Sequence, residues 1–339
     1  MKGCSDPLCA AAGDPQGLGA YSVSSNFRTP YFYNYNLQVE KGFGNAAVFQ
    51  IGYVGSQGRK LNIVSDINQA GAFTHFGHIL QLNTIGTSNY NALQTIFRTR
   101  AWRGLSSQFA YTWAHALDEV SEYRGQVADD AFNLKADYGN SDFDTRHLFT
   151  ANLTYDLPKA PWATSAWSKR ALNDWTISSV MNWHKGQPSD ETLSGLSVIG
   201  NPYAGVSHAF DPSFGVQWWN PAAFCSPGGS ACPGPANLSR NKFTGPGYGD
   251  VDLSFIKNVP ITERVKVQLR ADFFNLFNRI NMASGVGSVG GVCAPLATGI
   301  CTTNSGFGQV TDTIGDFNGA PAIGPGEARN IQLVAKIIF

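Results

Sequence analysis

Residues Arg264–Phe273 read RVKVQLRADF. Val265, Val267, Leu269, Ala271 and Phe273 alternate strictly with Arg264, Lys266, Gln268, Arg270 and Asp272, the period of a strand with one apolar and one polar face. The same alternation recurs through Tyr31, Tyr33, Tyr35, Leu37 and Val39, through Ala47, Phe49, Ile51 and Tyr53, and through Leu93, Thr95, Phe97, Thr99 and Ala101. It continues in Phe109, Tyr111 and Trp113, in Phe149, Ala151, Leu153 and Tyr155, and in Trp175, Ile177, Ser179, Met181 and Trp183. Val251, Leu253 and Phe255, then Ile331, Leu333, Ala335, Ile337 and Phe339, complete the set. Nine strands are predicted, and no helical period of comparable strength appears.

The apolar faces carry almost no charge, which suits contact with lipid, where a basic residue near the midplane costs roughly 2–4 kcal/mol. Lys257 is the exception, and it sits at a strand end where its stem can snorkel to an interface. A soluble β-sandwich also alternates, but its strands average about five or six residues, and these run to about ten. Trp175 and Trp183 share a face and lie roughly 26 Å apart along one strand. At a tilt of about 40° that spans roughly 20 Å of height, close to the aromatic-girdled band of an outer-membrane barrel. The expected fold is all-β, an antiparallel transmembrane β-barrel segment of about nine or ten strands.

Composition agrees. The 339 residues include 24 basic and 24 acidic side chains, for a net charge of zero, and charged residues reach only 14%, against about 25% in a typical soluble domain. That balance excludes a basic nucleic-acid binder, and 43% hydrophobic residues exclude a charged disordered chain. No apolar run is long enough for a helical membrane span.

The connections alternate in length. Lys41–Gly44, Arg103–Gly104 and Asn258–Ile261 are short, with Pro158–Ala171 a longer member of the same set. Residues 64–88, 118–144, 186–247 and 278–326 are long loops. In outer-membrane barrels the short turns are periplasmic and the long loops extracellular. All six cysteines then lie outside, in close pairs: Cys4 with Cys9, Cys225 with Cys232, and Cys293 with Cys301. Disulfide-closed loops are the leading reading; unpaired loop cysteines and a metal site are the alternatives. Residues 1–30 read as an extracellular-type segment and 31–339 as the barrel part. Counting back nine strands from Phe339 places the N-terminus outside, whereas complete bacterial barrels have an even strand number. Met1 leads into Cys4, Asp6 and Pro7 without an apolar signal region. The expectation is a fragment of a larger barrel.

The stretches Ser88–Gln94 (SNYNALQ), Phe109–Asp118 (FAYTWAHALD), Asp142–Leu148 (DFDTRHL), Tyr155–Pro158 (YDLP), Gly245–Asn258 (GPGYGDVDLSFIKN), Ala271–Asn278 (ADFFNLFN) and Ala328–Phe339 form an ordered series. Together they resemble the C-terminal barrel region of Oar-like TonB-dependent outer-membrane receptors, particularly the acidobacterial type. The resemblance implies a barrel of 22 strands, occluded by a plug that carries a TonB box and is often preceded by a carboxypeptidase-regulatory-like domain. No plug domain is matched here, so active transport by this chain alone is not expected. A plug and the TonB system are implied partners only if an N-terminal part exists. Terminal Phe339, after Ile337, resembles the signal read by the barrel-assembly machinery, and also fits an interfacial girdle residue.

No catalytic signature is present, so no enzyme activity and no cofactor are expected. Gly285, Gly287 and Gly290 spell G-x-G-x-x-G, but a dinucleotide site needs a strand before and a helix after, and this one lies in a long loop. His75 and His78 are read as loop residues, and His115 and His147 as interfacial residues near the outer strand ends. Arg98, Arg100, Arg264, Lys266, Arg270 and Asp272 fall on polar faces and are candidate lumen or ligand contacts. The loop at 118–144 is strongly acidic, with Asp118, Glu119, Glu122, Asp129, Asp130, Asp137, Asp142 and Asp144. Clustered carboxylates suit calcium, but the spacing is not that of an EF-hand, and a solvated extracellular loop is the plainer reading.

The expected function is binding or uptake of an unidentified large solute at the outer membrane, in contact with its lipid. The alternatives are a structural or adhesive display barrel and a secreted soluble β-rich binding domain. Leu269→Arg should impair membrane assembly while Gln268→Arg is mild, as read by heat-modifiable mobility of the membrane fraction. Equal effects would contradict the inside–outside assignment.

Overall fold

The computed structural model describes residues 18–73, 76–122, 127–128, 131–189, 193, 195–285, 287–302, 306–314 and 328–339. Cys4, Cys9, His75, Asp129 and Asp130 lie outside the described residues.

A preliminary strand, β1 (Leu18–Val23), is followed by nine long ones. These are β2 (Tyr31–Phe43), β3 (Ala47–Asp66), β4 (Phe76–Trp102), β5 (Leu105–Asp118), β6 (His147–Asp156), β7 (Trp175–His184), β8 (Tyr248–Pro260), β9 (Lys266–Phe274) and β10 (Asn330–Ile338). Each of the nine pairs with its neighbour in the chain, giving an antiparallel meander in the order β10–β9–β8–β7–β6–β5–β4–β3–β2. The nine predicted strands are these nine. The two edge strands, β2 and β10, are not paired with each other, so the sheet is open. The short α1 (Ala166–Leu172) sits between β6 and β7; at seven residues it is too short to register as a helical period.

Two expectations about the ends are corrected. Residues 64–88 are mostly strand, because β3 and β4 run on as a hairpin past the rest of the wall, to Asp66 and from Phe76. Within residues 1–30, β1 pairs in parallel with the outer half of β4, from Leu18 opposite Phe76 to Val23 opposite Leu82. It occupies the β4 flank that β5 leaves open, since the β4–β5 ladder begins only at Ser88 opposite Asp118.

The register keeps the apolar rows in line from strand to strand. Phe49 lies opposite Phe97, Phe97 opposite Phe109, Phe109 opposite Ala151, Ala151 opposite Met181, and Met181 opposite Val251. The Phe97 and Phe109 rings stack at 6.5 Å, a cross-strand aromatic pair of the kind that fixes register. At Gly55 the ring of Tyr35 lies across the backbone, so that a Cβ there would meet ring carbon at 2.1 Å. Glycine is required at that point, and the covering ring restores the apolar contact it lacks.

On the other face the rows are polar. Thr154, Ser178, Ser254, Asp272 and Gln332 form one continuous line across five strands. The two faces therefore separate as the periodicity required. The deepest packing lies elsewhere, in the long loops described below.

Lys257 lies on the apolar face, opposite both Leu269 and Trp175. Leu269 is thus level with the lower aromatic girdle rather than with the middle of the wall. Midway between Trp175 and Trp183 comes Ser179, which faces Leu253, itself opposite Phe273. Because the cost of an arginine falls from roughly 2–4 kcal/mol at mid-depth to about 0–1 near the interface, Leu253→Arg should damage assembly more than Leu269→Arg. Heat-modifiable mobility of the two variants reads the difference, and a reversed order would contradict this placement of the band.

Candidate functional site

The polar face is tied together by short side-chain bonds. Arg270 Nε donates to Asp272 Oδ1 at 2.6 Å, and Ser254 Oγ donates to the same oxygen at 2.5 Å. Asp272 is buried, so most of the Arg270 charge is matched within the wall. Gln268 Nε2 donates to Asn258 Oδ1 at 3.0 Å, and Arg98 Nε to Gln108 Oε1 at 2.9 Å. Arg98, Arg100 and Lys266 are exposed. Arg264 departs from expectation: β9 begins at Lys266, and Arg264 lies in the 261–265 turn, where the amides of Arg264 and Val265 both donate to Thr262 Oγ1. The hydroxyl offered the backbone a turn in place of two further ladder positions. Phe339 follows β10 and is exposed.

The long loops are built. Segments of 186–247 and 278–314 fold together around Trp219, Phe224 and Phe307, all at 0% exposure, with Leu193, Val216, Val289 and Val310 packed beside them. Phe224 meets Phe307 edge-to-face at 5.3 Å. Phe243 meets Phe224 edge-to-face at 5.9 Å. A small sheet joins Phe210–Asp211, Gly215–Gln217 and Gln309–Val310, and so links the two loops. Gly215 has φ +82°, and a Cβ there would lie 2.1 Å from the Val310 carbonyl oxygen; only glycine permits that crossing. Disulfides Cys225–Cys232 and Cys293–Cys301 close loops within this cap. Closing loops of seven and eight residues is worth roughly 2–3 kcal/mol each in the chain-entropy account. Gly285, Gly287 and Gly290 belong to this loop as well, and two of them take positive φ.

The acidic segment is turned inward rather than spread in solvent. Arg240 Nη1 donates to Asp118 Oδ1 at 2.6 Å, and its Nη2 donates to Asp142 Oδ1 at 3.0 Å and to Ser121 Oγ at 2.7 Å. Asn241 Nδ2 bonds Asp142 Oδ1 and the Asn140 carbonyl. Asp144 takes the Ala116 amide at 2.7 Å and an ion pair from Arg146 at 3.1 Å. Glu119 accepts from the Thr87 amide and hydroxyl, both at 2.6 Å. Among the described residues no cluster of three or more His, Cys, Asp or Glu side chains is arranged to hold a metal. The segment also reaches β3, where the Ala128 amide donates to the Val64 carbonyl at 3.0 Å. Arg240 thus joins the cap to the acidic loop, and sequence reading missed it. The available signal was that Arg240 and Lys242 are the sole cations of 186–247, while 118–144 carries eight carboxylates.

The histidines take local roles. His147 Nδ1 lies 2.8 Å from Tyr111 Oη with the rings stacked, and His115 Nε2 lies 2.9 Å from Asn140 Oδ1. At the tip of the β3–β4 hairpin, His78 Nδ1 lies 2.6 Å from Asp66 Oδ2. Burial pushes the Asp66 carboxyl up, but the His78 ring and the amides of Ile79 and Asn68 outweigh it, leaving it below the usual carboxylate range.

Residues 5–332 match the profile of a family described as an outer membrane beta barrel domain. No curated protein matches the sequence. Among solved structures, the outer membrane transporter YddB from Escherichia coli is similar at 9% identity and a TM-score of 0.46, over 96% of this chain and 34% of that one. BauA, the ferric preacinetobactin receptor from Acinetobacter baumannii, is similar at 8% identity and a TM-score of 0.44, over 91% of this chain and 29% of that one. The FrpB iron transporter from Neisseria meningitidis gives 11% and 0.41, over 94% of this chain and 33% of that one. The chain spans about a third of the length of these structures.

Removing Arg240 takes its charge from beside two largely buried carboxylates, so Arg240→Ala should cost about 3 kcal/mol of cap docking. Limited proteolysis should then open 118–144 while the wall keeps its heat-modifiable mobility; unchanged protection would contradict the clamp. For Asp66 the depressed folded value means that its contribution is complete above its ordinary pKa of about 3.9 and is lost as pH falls through the lower folded value. Amide protection at the hairpin tip, taken relative to the intrinsic exchange rate at each pH, should therefore be steady from pH 7 to 5 and fall only below about pH 4; loss of protection already at pH 5 would contradict this.

Proposed function

Since the chain belongs to the outer membrane beta barrel domain family, and so sits in the outer membrane, we propose that it forms a nine-stranded sector of a receptor-type barrel serving surface binding and uptake of a large solute. The observation that carries this reading is the cap: two long loops with a common core and two disulfides, standing at one end of a wall with a continuous polar face. A folded platform at the mouth of a hydrated lumen is what capture of a large solute needs.

Strand direction supports a wall larger than nine strands. Edges β2 and β10 both run from the long-loop end to the short-turn end. Antiparallel closure therefore takes an odd number of further strands, each outermost one running the opposite way. A second copy inserted in the same orientation offers edges of the same direction and cannot supply that pairing. The reading puts short turns in the periplasm and the cap outside. It takes the Oar-like resemblance as its closest guide, with the barrel-assembly machinery recognising Phe339, and a plug and the TonB system as partners of a complete receptor. Arg98, Arg100 and Lys266 are its candidates for lumen contact with solute or plug.

A display barrel that transports nothing is the second reading, favoured by a cap that has its own core. Vancomycin, too large for general porins, separates the two. Cells carrying the assembled protein with 197–238 replaced by a short linker should gain vancomycin sensitivity relative to cells carrying the intact form. Unchanged sensitivity, with the excised protein still heat-modifiable in the membrane, would favour display.

A further inference from the structure

The apolar face of the wall is plain except at its short-turn end, where α1 folds back over it. Ser165 caps the helix, with its hydroxyl and that of Ser168 bonded reciprocally to each other's backbone amides. Trp175 Nε1 donates to the Ala171 carbonyl at 2.8 Å, which pins the last turn against β7. Beneath lies a cavity of about 1080 Å³, lined by Trp167, Arg170 and Ala171 of the helix and by Trp175, Lys257 and Leu269 of the wall, among others. That is at the upper end of the size range of small-molecule sites, about 300–1,000 Å³.

We propose that this groove binds an anionic phospholipid, with its acyl chains against the wall and its phosphate between Arg170 and Lys257, which line it. The floor is apolar, and no carboxylate lines the cavity. Lys169 and Arg170 stand in the last turn of α1. Lys257 is 6% exposed, yet it lies on the lipid-facing side of the wall. Its ammonium lies 5.5 Å from the centre of the Trp175 ring and donates to the Asn173 carbonyl at the end of α1. A lysine held at that depth places positive charge at the head of an apolar groove, and basic pockets of this kind bind anionic headgroups. Trp162 and Trp167 are 70% and 81% exposed, an arrangement suited to immersion at headgroup level, where tryptophan is favoured. Charge and depth together fit a lipid phosphodiester better than a protein segment.

The site itself follows from the wall and the helix; only the assignment to the periplasmic leaflet rests on the orientation proposed above. Native mass spectrometry of the assembled protein, extracted in mild non-ionic detergent and titrated with phosphatidylglycerol or phosphatidylcholine, tests it. Phosphatidylglycerol should be retained at about tenfold lower concentration, and the preference should vanish in the surface variant Lys169→Ala/Arg170→Ala. Heat-modifiable mobility checks that the variant is folded, and Lys257→Met gives a second reading from the groove floor. Equal retention of the two lipids, or a preference unchanged in the folded double variant, would overturn the proposal. Impermeant maleimide labelling of Lys159→Cys in intact cells reads the leaflet separately: protection supports the periplasmic assignment, and labelling overturns that assignment alone.

Discussion

In lipid, a backbone amide or carbonyl without an internal partner costs several kcal/mol, and no water is present to supply one. Everything in the wall follows from that constraint. Each of the nine strands is bonded to its neighbour in the chain, the register carries apolar rows from one strand to the next, and the connections at one end are kept short. The same constraint bears on the edges. Among the described residues β2 and β10 each have one flank unbonded, and the larger barrel proposed above would cover both.

Cohesion in this chain comes from two sources. In the wall, few side chains are fully buried, because one face meets lipid and the other a polar interior; the ladder and the cross-strand pairs hold it. In the cap, ordinary soluble-protein physics returns, with three aromatic side chains completely buried, two disulfides and a clamped acidic loop. The low charge of the sequence takes its meaning from this division. Ionic groups are absent from most of the lipid-facing surface and collect on the polar face, in the loops and around α1.

Much of the wall was legible because its signal is local. A period of two is written into each strand, and nine strands with their faces could be read from residues such as Val267, Leu269 and Ala271 alone. The boundaries were less legible where a strand continues without alternating. The outer half of β4 looked like loop because Ile79 and Leu80 are adjacent apolar residues, and Asn83, Thr84, Gly86, Thr87 and Ser88 sustain no apolar alternation. Arg264 alternated correctly, yet the Thr262 hydroxyl drew it into a turn. The cap was not legible, since Trp219, Phe224 and Phe307 come from two loops about 80 residues apart and carry no period. For the candidate site, the carboxylates were visible but their partner was not. Pairing Arg240 with Asp118 is a long-range contact that only the fold brings about.

One face of this sheet meets lipid and the other meets water. A nitroxide scan along Lys266–Phe274 in the assembled protein reads this division, by comparing collision with oxygen and with a water-soluble nickel chelate. Oxygen maxima are expected at Val267, Leu269, Ala271 and Phe273, with nickel maxima at Lys266, Gln268 and Arg270. Nickel accessibility on both faces, or no alternation at all, would contradict it.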